Sequence, residues 1–344
     1  MIEVAKRKMS RSAWALPLDT QPMEARSAET LPADGGWQYE PKWDGFRCLA
    51  FKDGTEVDLR AKSGKPLGRF FPEMVELLAA LPVQRFVIDG ELVIESGGAL
   101  SFQALQMRLH PAESRVRKLA AETPSRLVVF DMLMNPDGKL IMDSPLTVRN
   151  AQLSAFLALA REAALTQSPH SSDIDEARIW LENGYAGTDG VVCKRLDGLY
   201  LPGERVMIKV KRLKSADCVV GGFRYEHDSK QVGSLLLGLY NSDGKLDHVG
   251  YTSTITDKER GELTEKLEAL VGPPGFTGKA PGGPSRWSTE RSGEWQPLKP
   301  QLVVEVRFDH VSGDRFRHGT KLLRWRPDKS PRQCTYEQLR SVVH

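Results

Sequence analysis

The sequence predicts an α+β protein in two domains, and three observations carry that reading. Its 344 residues suit two domains better than one, and 40% hydrophobic residues suffice for ordinary cores. Up to about Lys214, apolar strand-like runs alternate with segments of helical period. From Ala216 onward the texture changes to short strands separated by turns, with one helical segment among them.

In chain order, residues 12–38 are rich in Pro and Ala and read as irregular, leading into a short strand that ends at Lys42. Residues 48–51 and 56–59 flank Asp53-Gly54, a hairpin signal. Pro72 suits the first turn of a helix with Met74, Leu77, Leu78 and Leu81 on one side. Residues 86–94 read as a strand, Ser101 as the cap of a helix through Leu105 and Leu109, and 127–133 as a buried strand. Thr147 is expected to cap the next helix, whose apolar residues are Leu153, Phe156, Leu157 and Leu159. A helix from about Asp175 stops at Asn183-Gly184, and strands over 190–193 and 205–211 close this half.

In the second half, strands are expected over 218–225, 233–240 and 247–252. Thr256-Asp257-Lys258-Glu259 is a capping-box pattern opening a helix through Leu263, Leu267 and Leu270. A Gly/Pro-rich loop over 272–284 precedes strands at 302–308 and 316–325. About five strands with one inserted helix fit an OB-type barrel, a fold commonly used on nucleic acid, although a purely structural barrel has the same pattern.

Charge and cysteine usage narrow the class. Net charge is +3 with pI about 8.6, mildly basic, but between Arg315 and Arg332 there are seven Lys or Arg and one acid, Asp328. Such a cluster suits a polyanionic partner, or else a solvated basic face. Cys48, Cys193, Cys218 and Cys334 are scattered without a Cys-x-x-Cys pair, which argues against structural zinc and for reduced thiols in the cytosol. No run approaches the ~20 apolar residues of a membrane span. Residues 1–11 are basic, and the apolar stretch after them is short and broken by Pro17, so a frayed arm is expected rather than a signal peptide.

The chemistry centres on Tyr39-Glu40-Pro41-Lys42-Trp43-Asp44-Gly45-Phe46-Arg47, which holds the only Lys-x-Asp-Gly of the chain. By itself the motif is also a surface lysine beside a turn, and chance supplies one in roughly one chain of this size in ten. A lysine nucleophile has a further requirement. With a free pKa of about 10.4 it is neutral only ~0.1% of the time near pH 7.5, equivalent to ~4 kcal/mol. Neighbouring cations or desolvation favour the free amine. Alternation over 206–211 puts Lys209 and Lys211 on one face, with Val206, Ile208 and Val210 on the other. Side by side the two ammonium groups repel unless an anion such as phosphate lies between them; an edge strand with lysines in water is the alternative.

Asp89 and Glu91 share one face of a strongly apolar strand, and Asp189 precedes Gly190-Val191-Val192-Cys193. Acids bordering core strands bind hydroxyls or cations, and Mg²⁺ takes a few carboxylates plus phosphate oxygens; turn aspartates are as frequent. Phe130 reads as core unless the fold places it at a pocket. There is no Gly-x-x-x-x-Gly-Lys-Ser/Thr and no Gly-x-Ser-x-Gly, which excludes a P-loop and a nucleophile elbow at motif level.

Taken in order, Lys42-Trp43-Asp44-Gly45, Asp89-Gly90-Glu91, Val129-Phe130-Asp131, Asp189-Gly190-Val191-Val192-Cys193-Lys194 and Lys209-Val210-Lys211 resemble the nucleotidyltransferase motifs of ATP-dependent DNA ligases. Arg324-Trp325-Arg326-Pro327-Asp328-Lys329 is similar to that family's last motif. The match runs from about Glu40 to Arg332 and looks most like the small bacterial ligase C type, without the polymerase or nuclease domain of ligase D. The resemblance implies an ATP-grasp-like nucleotidyltransferase (adenylation) domain over residues 1–214 and an OB-fold β-barrel over 215–344. It implies sealing of a 3′-hydroxyl to a 5′-phosphate in nicked duplex DNA, in repair, through a lysyl-AMP and then a DNA-adenylate.

Roles follow from the same resemblance. Lys42 would attack the ATP α-phosphate, with Lys209 and Lys211 as its catalytic companions. Glu40 would lie at the adenine edge, Phe130 would stack on the base, and Arg47 and Glu91 would hold the ribose side. Glu91 and Asp189 would sit near Mg²⁺ or Mn²⁺. Lys194, Lys209 and Lys211 would grip phosphate, and Arg326, Asp328 and Lys329 would orient pyrophosphate when the OB domain closes. Arg60, Lys62, Arg315, Arg317 and Arg324 would meet DNA. The implied setting is a monomer in the cytoplasm, at the bacterial nucleoid, with repair polymerases or primases as partners and no membrane.

Two positions depart from the family's pattern. Asp189 stands where Glu is usual, and its shorter arm is expected to move the metal by about a bond length or recruit a water. Ala61-Lys62-Ser63-Gly64 replaces the usual Ser-Arg-Asn-Gly, and lysine cannot make arginine's bidentate phosphate contact; Arg60 is a substitute. An RNA ligase or a GTP-using capping enzyme shares Lys-x-Asp-Gly, and an OB-fold binding protein with an inactive site is a reading from another class. An NAD-dependent ligase is disfavoured by the lack of zinc cysteines.

Overall fold

The structure is a computed structural model that describes residues 14–282 and 294–340. The basic arm of residues 1–11 and the last two residues of the Gly/Pro-rich loop lie outside the described residues. The chain divides into two compact units between Arg212 and Leu213.

The first unit contains two sheets. One has the order Glu56–Ala61, Phe46–Asp53, Arg85–Ser96, Ser125–Met134, Leu165–Gln167, antiparallel except for the last pair, with Ala99–Leu100 added beside Arg85–Ser96. Its central strand is buried on both faces. Phe86, Ile88, Leu92 and Ile94 join the core under the helices, while Val87 joins a second core with Leu49, Phe51 and Leu133. Period-two alternation therefore turns Asp89 and Glu91 to the Val87 side, away from the helices. Lys52, itself buried, donates to the carbonyls of Leu78, Ala79 and Leu81 and so satisfies the end of helix Pro72–Ala80.

The other sheet has the order Ala25–Ala28, Met207–Lys211, Gly190–Arg195, Trp37–Pro41. Ala25–Ala28 lies within the stretch expected to be irregular. Its sequence, Ala-Arg-Ser-Ala, has little strand propensity, and it is a strand because it pairs in parallel with Met207–Lys211. Val206, expected on the apolar face of that strand, precedes it and is exposed, whereas Ile208 and Val210 are buried as the alternation requires.

The helix caps divide in the same way between local and non-local causes. Ser101 accepts the Ala104 N–H, Thr256 and Glu259 form their capping box, and Gly184 ends helix Ile174–Asn183 at φ +78°. Thr147 does not cap: helix Leu146–Ala160 begins directly after Pro145, without a side-chain cap. Leu159 on that helix is exposed rather than core.

The second unit is an antiparallel sheet ordered Leu246–Thr252, Val232–Tyr240, Lys214–Tyr225, Val303–Phe308, Lys321–Trp325. A bridge from Thr252 to Thr320, with the Thr252 hydroxyl donating to the Thr320 carbonyl at 2.9 Å, joins the two edges and closes the barrel. This is the five-stranded barrel with one inserted helix, Asp257–Glu268, that the pattern predicts. The expected strand over 316–325 is in fact two: Arg315–Phe316 pairs back onto Val311–Ser312, and Lys321–Trp325 resumes after Gly319.

Candidate active site

A cavity of about 240 Å³ opens in the first unit, and Lys42 lines it. The backbone places that lysine. Lys42 N–H donates to the Gly190 carbonyl at 2.8 Å, and Asp189 N–H donates to the Lys42 carbonyl at 3.1 Å. A side chain at position 190 would put its Cβ 2.2 Å from the Val210 carbonyl oxygen, so glycine there lets Met207–Lys211 approach. Gly45 is needed for a similar reason. A Cβ there would lie 2.2 Å from the Leu92 carbonyl oxygen, and its N–H donates to Glu91 Oε1 at 3.1 Å.

The electrostatics differ from the sequence expectation. Lys42 Nζ sits 2.8 and 3.1 Å from the two oxygens of Asp189. Burial disfavours its charge, but Asp189, helped by Glu91 and Asp44, outweighs burial and raises its pKa above the ordinary lysine value. The expected downward shift appears at Lys209 instead, where burial is reinforced by Lys42, Lys211 and Lys62. Lys209 lines the cavity, and Lys211 is half-buried two residues on. Glu91, also at the cavity, is pushed up to about 7 by burial, against the pull of Arg47 and Lys42.

Phe130 is half-buried at the cavity and not in the core. The Arg47 guanidinium carbon lies 4.5 Å from its ring centroid and Lys194 Nζ 4.8 Å away. Lys194 is set inside the wall. It lies 2.8 Å from Glu40 Oε1 and donates to the Phe130 carbonyl at 2.8 Å, so its charge is engaged by Glu40. Arg47 is held by Asp89 through Nε at 2.5 Å and Nη2 at 2.6 Å. Tyr200, 2% exposed, donates to Asp89 at 2.6 Å and accepts the Met23 N–H at 3.1 Å. Asp131 is structural: it pairs with Arg149, both 1% exposed.

Met23, Glu24, Trp43, Val192 and Met207 also line the cavity, although nothing in the sequence assigns them a role of their own. Met23 and Glu24 belong to the stretch that lacks a pattern. Val192 and Met207 carry only the apolar signal of any strand. Lys62, expected at DNA, lines this cavity and lies 3.0 Å from Glu24. Arg60 is engaged bidentately by Asp58 at 2.6 and 2.9 Å.

Among the described residues there is no cluster of three or more His, Cys, Asp or Glu able to form a metal cage. Glu91 and Asp189 both act on the Lys42 charge, and Glu91 is a carboxylate that burial leaves short of compensating charge. A pair of this kind suits a hard cation whose other ligands are phosphate oxygens and water.

In the second unit, Asp217 gathers the predicted pyrophosphate residues. Arg326 Nη1 reaches Asp217 Oδ1 at 2.9 Å, Lys329 Nζ reaches Oδ2 at 2.6 Å, and Arg326 also clasps Asp328. Arg324 pairs with Glu305 at 2.7 Å, and Arg315 lies 3.2 Å from His248 Nδ1. Burial, then Arg315 and Arg224, push His248 down to about 3, so its ring is neutral. Arg317 is half-buried.

Comparison with known proteins adds an independent finding. Residues 22–211 match the family described as ATP dependent DNA ligase domain, and residues 228–329 match ATP dependent DNA ligase C terminal region. The chain is 42% identical over 330 residues to DNA ligase C1 of Mycolicibacterium smegmatis, covering 93% of each. It is 42% identical over 335 residues to DNA ligase C of Mycobacterium tuberculosis, covering 92% of this chain and 93% of that protein. A solved structure from a study of Lig E DNA ligases aligns with a TM-score of 0.54 at 18% identity, over 88% of this chain and 99% of that one, a likeness of fold alone.

Proposed function

The chain belongs to the ATP-dependent DNA ligases, and from that premise we propose that it seals nicks in duplex DNA through AMP carried on Lys42. The observation that carries the assignment is the Lys42–Asp189 contact inside a cavity that also presents Phe130 and Glu40. In this reading the purine stacks on Phe130, and the triphosphate runs toward Lys42 and Lys209. Lys42 attacks the α-phosphorus and displaces pyrophosphate, the DNA 5′-phosphate then takes AMP from Lys42, and the 3′-hydroxyl displaces AMP in turn.

The residues present account for how Lys42 becomes a nucleophile. Burial is the largest influence on its pKa and favours the free amine; Asp189 opposes it. Once the Asp189 charge is engaged elsewhere, burial and the neighbouring Lys209 are left to favour loss of the proton. Glu91 and Asp189 would hold the divalent cation, Mg²⁺ or Mn²⁺, which supplies charge neutralisation at the phosphate oxygens. Gly45 N–H keeps Glu91 at the cavity, and Asp89 keeps Arg47 beside Phe130.

The lining residues of the cavity all belong to the first unit, and we read the enzyme as a monomer. No helix among the described residues is long and apolar enough to cross a membrane. We place the activity in the cytoplasm, at the nucleoid, in DNA repair, with repair polymerases or primases as the partners that prepare its ends. Incubation with α-labelled ATP or GTP, followed by a denaturing gel and intact-mass measurement, tests the assignment. One AMP should add to the wild type and none to Lys42→Ala. Label that persists in Lys42→Ala would refute it, and equal labelling by GTP would favour the capping reading.

A further inference from the structure

Glu40 is oriented by a chain of amides. Both polar contacts of its carboxylate fall on Oε1, from Lys194 Nζ at 2.8 Å and from Gln38 Nε2 at 2.8 Å. Gln38 and Lys194 are directly opposed across the strand ladder, so they flank Glu40 by register. Beyond Gln38, its Oε1 accepts from Asn150 Nδ2 at 2.7 Å, on helix Leu146–Ala160. A carboxylate only accepts, so Gln38 must turn its NH₂ to Glu40. Its carbonyl then necessarily faces Asn150, which has to donate. Gln38 and Glu40 are each 3% exposed, too deep for water to substitute freely.

We infer that Gln38 and Asn150 are positioning residues that set which purine this site accepts, by fixing where the Glu40 carboxylate stands. The inference rests on the nucleotide reading of the cavity. Lys194 Nζ lies 2.8 Å from Glu40 Oε1 and 4.8 Å from the Phe130 ring centroid, so a base stacked on that ring brings its edge toward Glu40. Adenine offers a donor there, the 6-amino group. Guanine and hypoxanthine offer an acceptor at that position, and their donors lie further around the ring. A carboxylate free to move could serve either set. Discrimination between purines therefore depends on where Glu40 is held, not on its charge alone.

Asn150 is half-buried on a helix, where alanine is well tolerated, so Asn150→Ala is expected to fold. Asn150→Asp keeps the shape but can only accept, which would turn the Gln38 carbonyl toward Glu40 and displace it. The measurement is single-turnover lysyl-nucleotide formation with ATP, GTP and inosine triphosphate, alongside thermal melting. The ATP-to-GTP efficiency ratio should fall about tenfold in Asn150→Ala and further in Asn150→Asp. A simple loss of packing would slow all three nucleotides alike and leave the ratio unchanged, and that result would overturn the inference. Glu40→Ala separates the two layers. If it collapses the ratio while folded Asn150→Ala does not, the amide chain has no such role and Glu40 still reads the base. If Glu40→Ala also leaves the ratio intact, the base is not read here and both ideas fall.

Discussion

Lys42 and Asp189 are tied twice, once by an ammonium 2.8 and 3.1 Å from the carboxylate oxygens and once by an Asp189 N–H donated to the Lys42 carbonyl at 3.1 Å. The backbone bond makes the side-chain pair a consequence of strand register, not of two flexible chains meeting by chance.

The first expectation concerns pH. Asp189 raises the Lys42 pKa, so Asp189→Asn should let burial pull it down. The rising limb of adenylation efficiency, which reports the free enzyme, should move to lower pH even as the maximum falls. The sign for stability is consistent: the pair's contribution is complete below the unfolded lysine value and is lost as pH rises through the folded one. A limb that stays in place would mean that Lys42 deprotonation is not what the profile reports.

Glu91 gives an opposite kind of signal. Its folded pKa of about 7 exceeds the ordinary 4.5, so the folded protein keeps a proton that the unfolded chain has released. Stability should therefore fall as pH rises through that window. Glu91→Gln should remove this cost, making the variant more stable than wild type at about pH 8, by on the order of 3 kcal/mol, and no different well below pH ~4. The same variant should lose most adenylation activity. Urea midpoints at the two pH values check it, and equal midpoints at the higher pH would sink it.

How much of this site was legible depends on how far apart its parts lie in the chain. Lys42, Glu91, Phe130, Asp189 and Lys209 stand within short motifs on or directly beside apolar strands, and alternation alone sends Asp89 and Glu91 to one face. The wall formed by Met23 and Glu24 was not legible, because Ala25–Ala28 becomes a strand only through its pairing with Met207–Lys211. The Asp89–Tyr200–Met23 contacts are hidden for the same reason. Spacing likewise suggested that Lys209 governs Lys42, and it could not show that Asp189 stands nearer. In the barrel, strand number and the inserted helix followed from pattern, whereas the break between Phe316 and Lys321 depends on a hairpin to Val311–Ser312.

Binding to nicked DNA should weaken steeply with salt. Lys and Arg contacts to phosphate release counterions, so affinity falls linearly on logarithmic axes with a slope set by the number of contacts. If Arg315 is one of them, Arg315→Ala should reduce that slope by about one and weaken all sequences alike. Fluorescence anisotropy on a nicked duplex measures both, and an affinity flat between low and physiological salt would contradict the expectation.

The tail should matter for one chemical step and not for another. Arg326 and Lys329 converge on the two oxygens of Asp217, at 2.9 and 2.6 Å, while Arg326 also holds the Asp328 carboxyl down to about 2. One carboxylate thus keeps two cations side by side, a fork suited to an anion with several oxygens. Orienting pyrophosphate is needed while Lys42 attacks ATP, because the leaving group must lie in line. It is not needed once AMP sits on the DNA end. A basic strand edge that only touches DNA would instead affect every step that uses DNA. Asp328→Ala with Lys329→Ala should therefore cut lysyl-AMP formation severely and still seal a nick adenylated beforehand. Asp217→Asn, which leaves both cations in place but loosens their spacing, should show the same division more mildly. Equal loss in both assays would favour the DNA-contact reading, and no loss in either would leave the tail without a catalytic role.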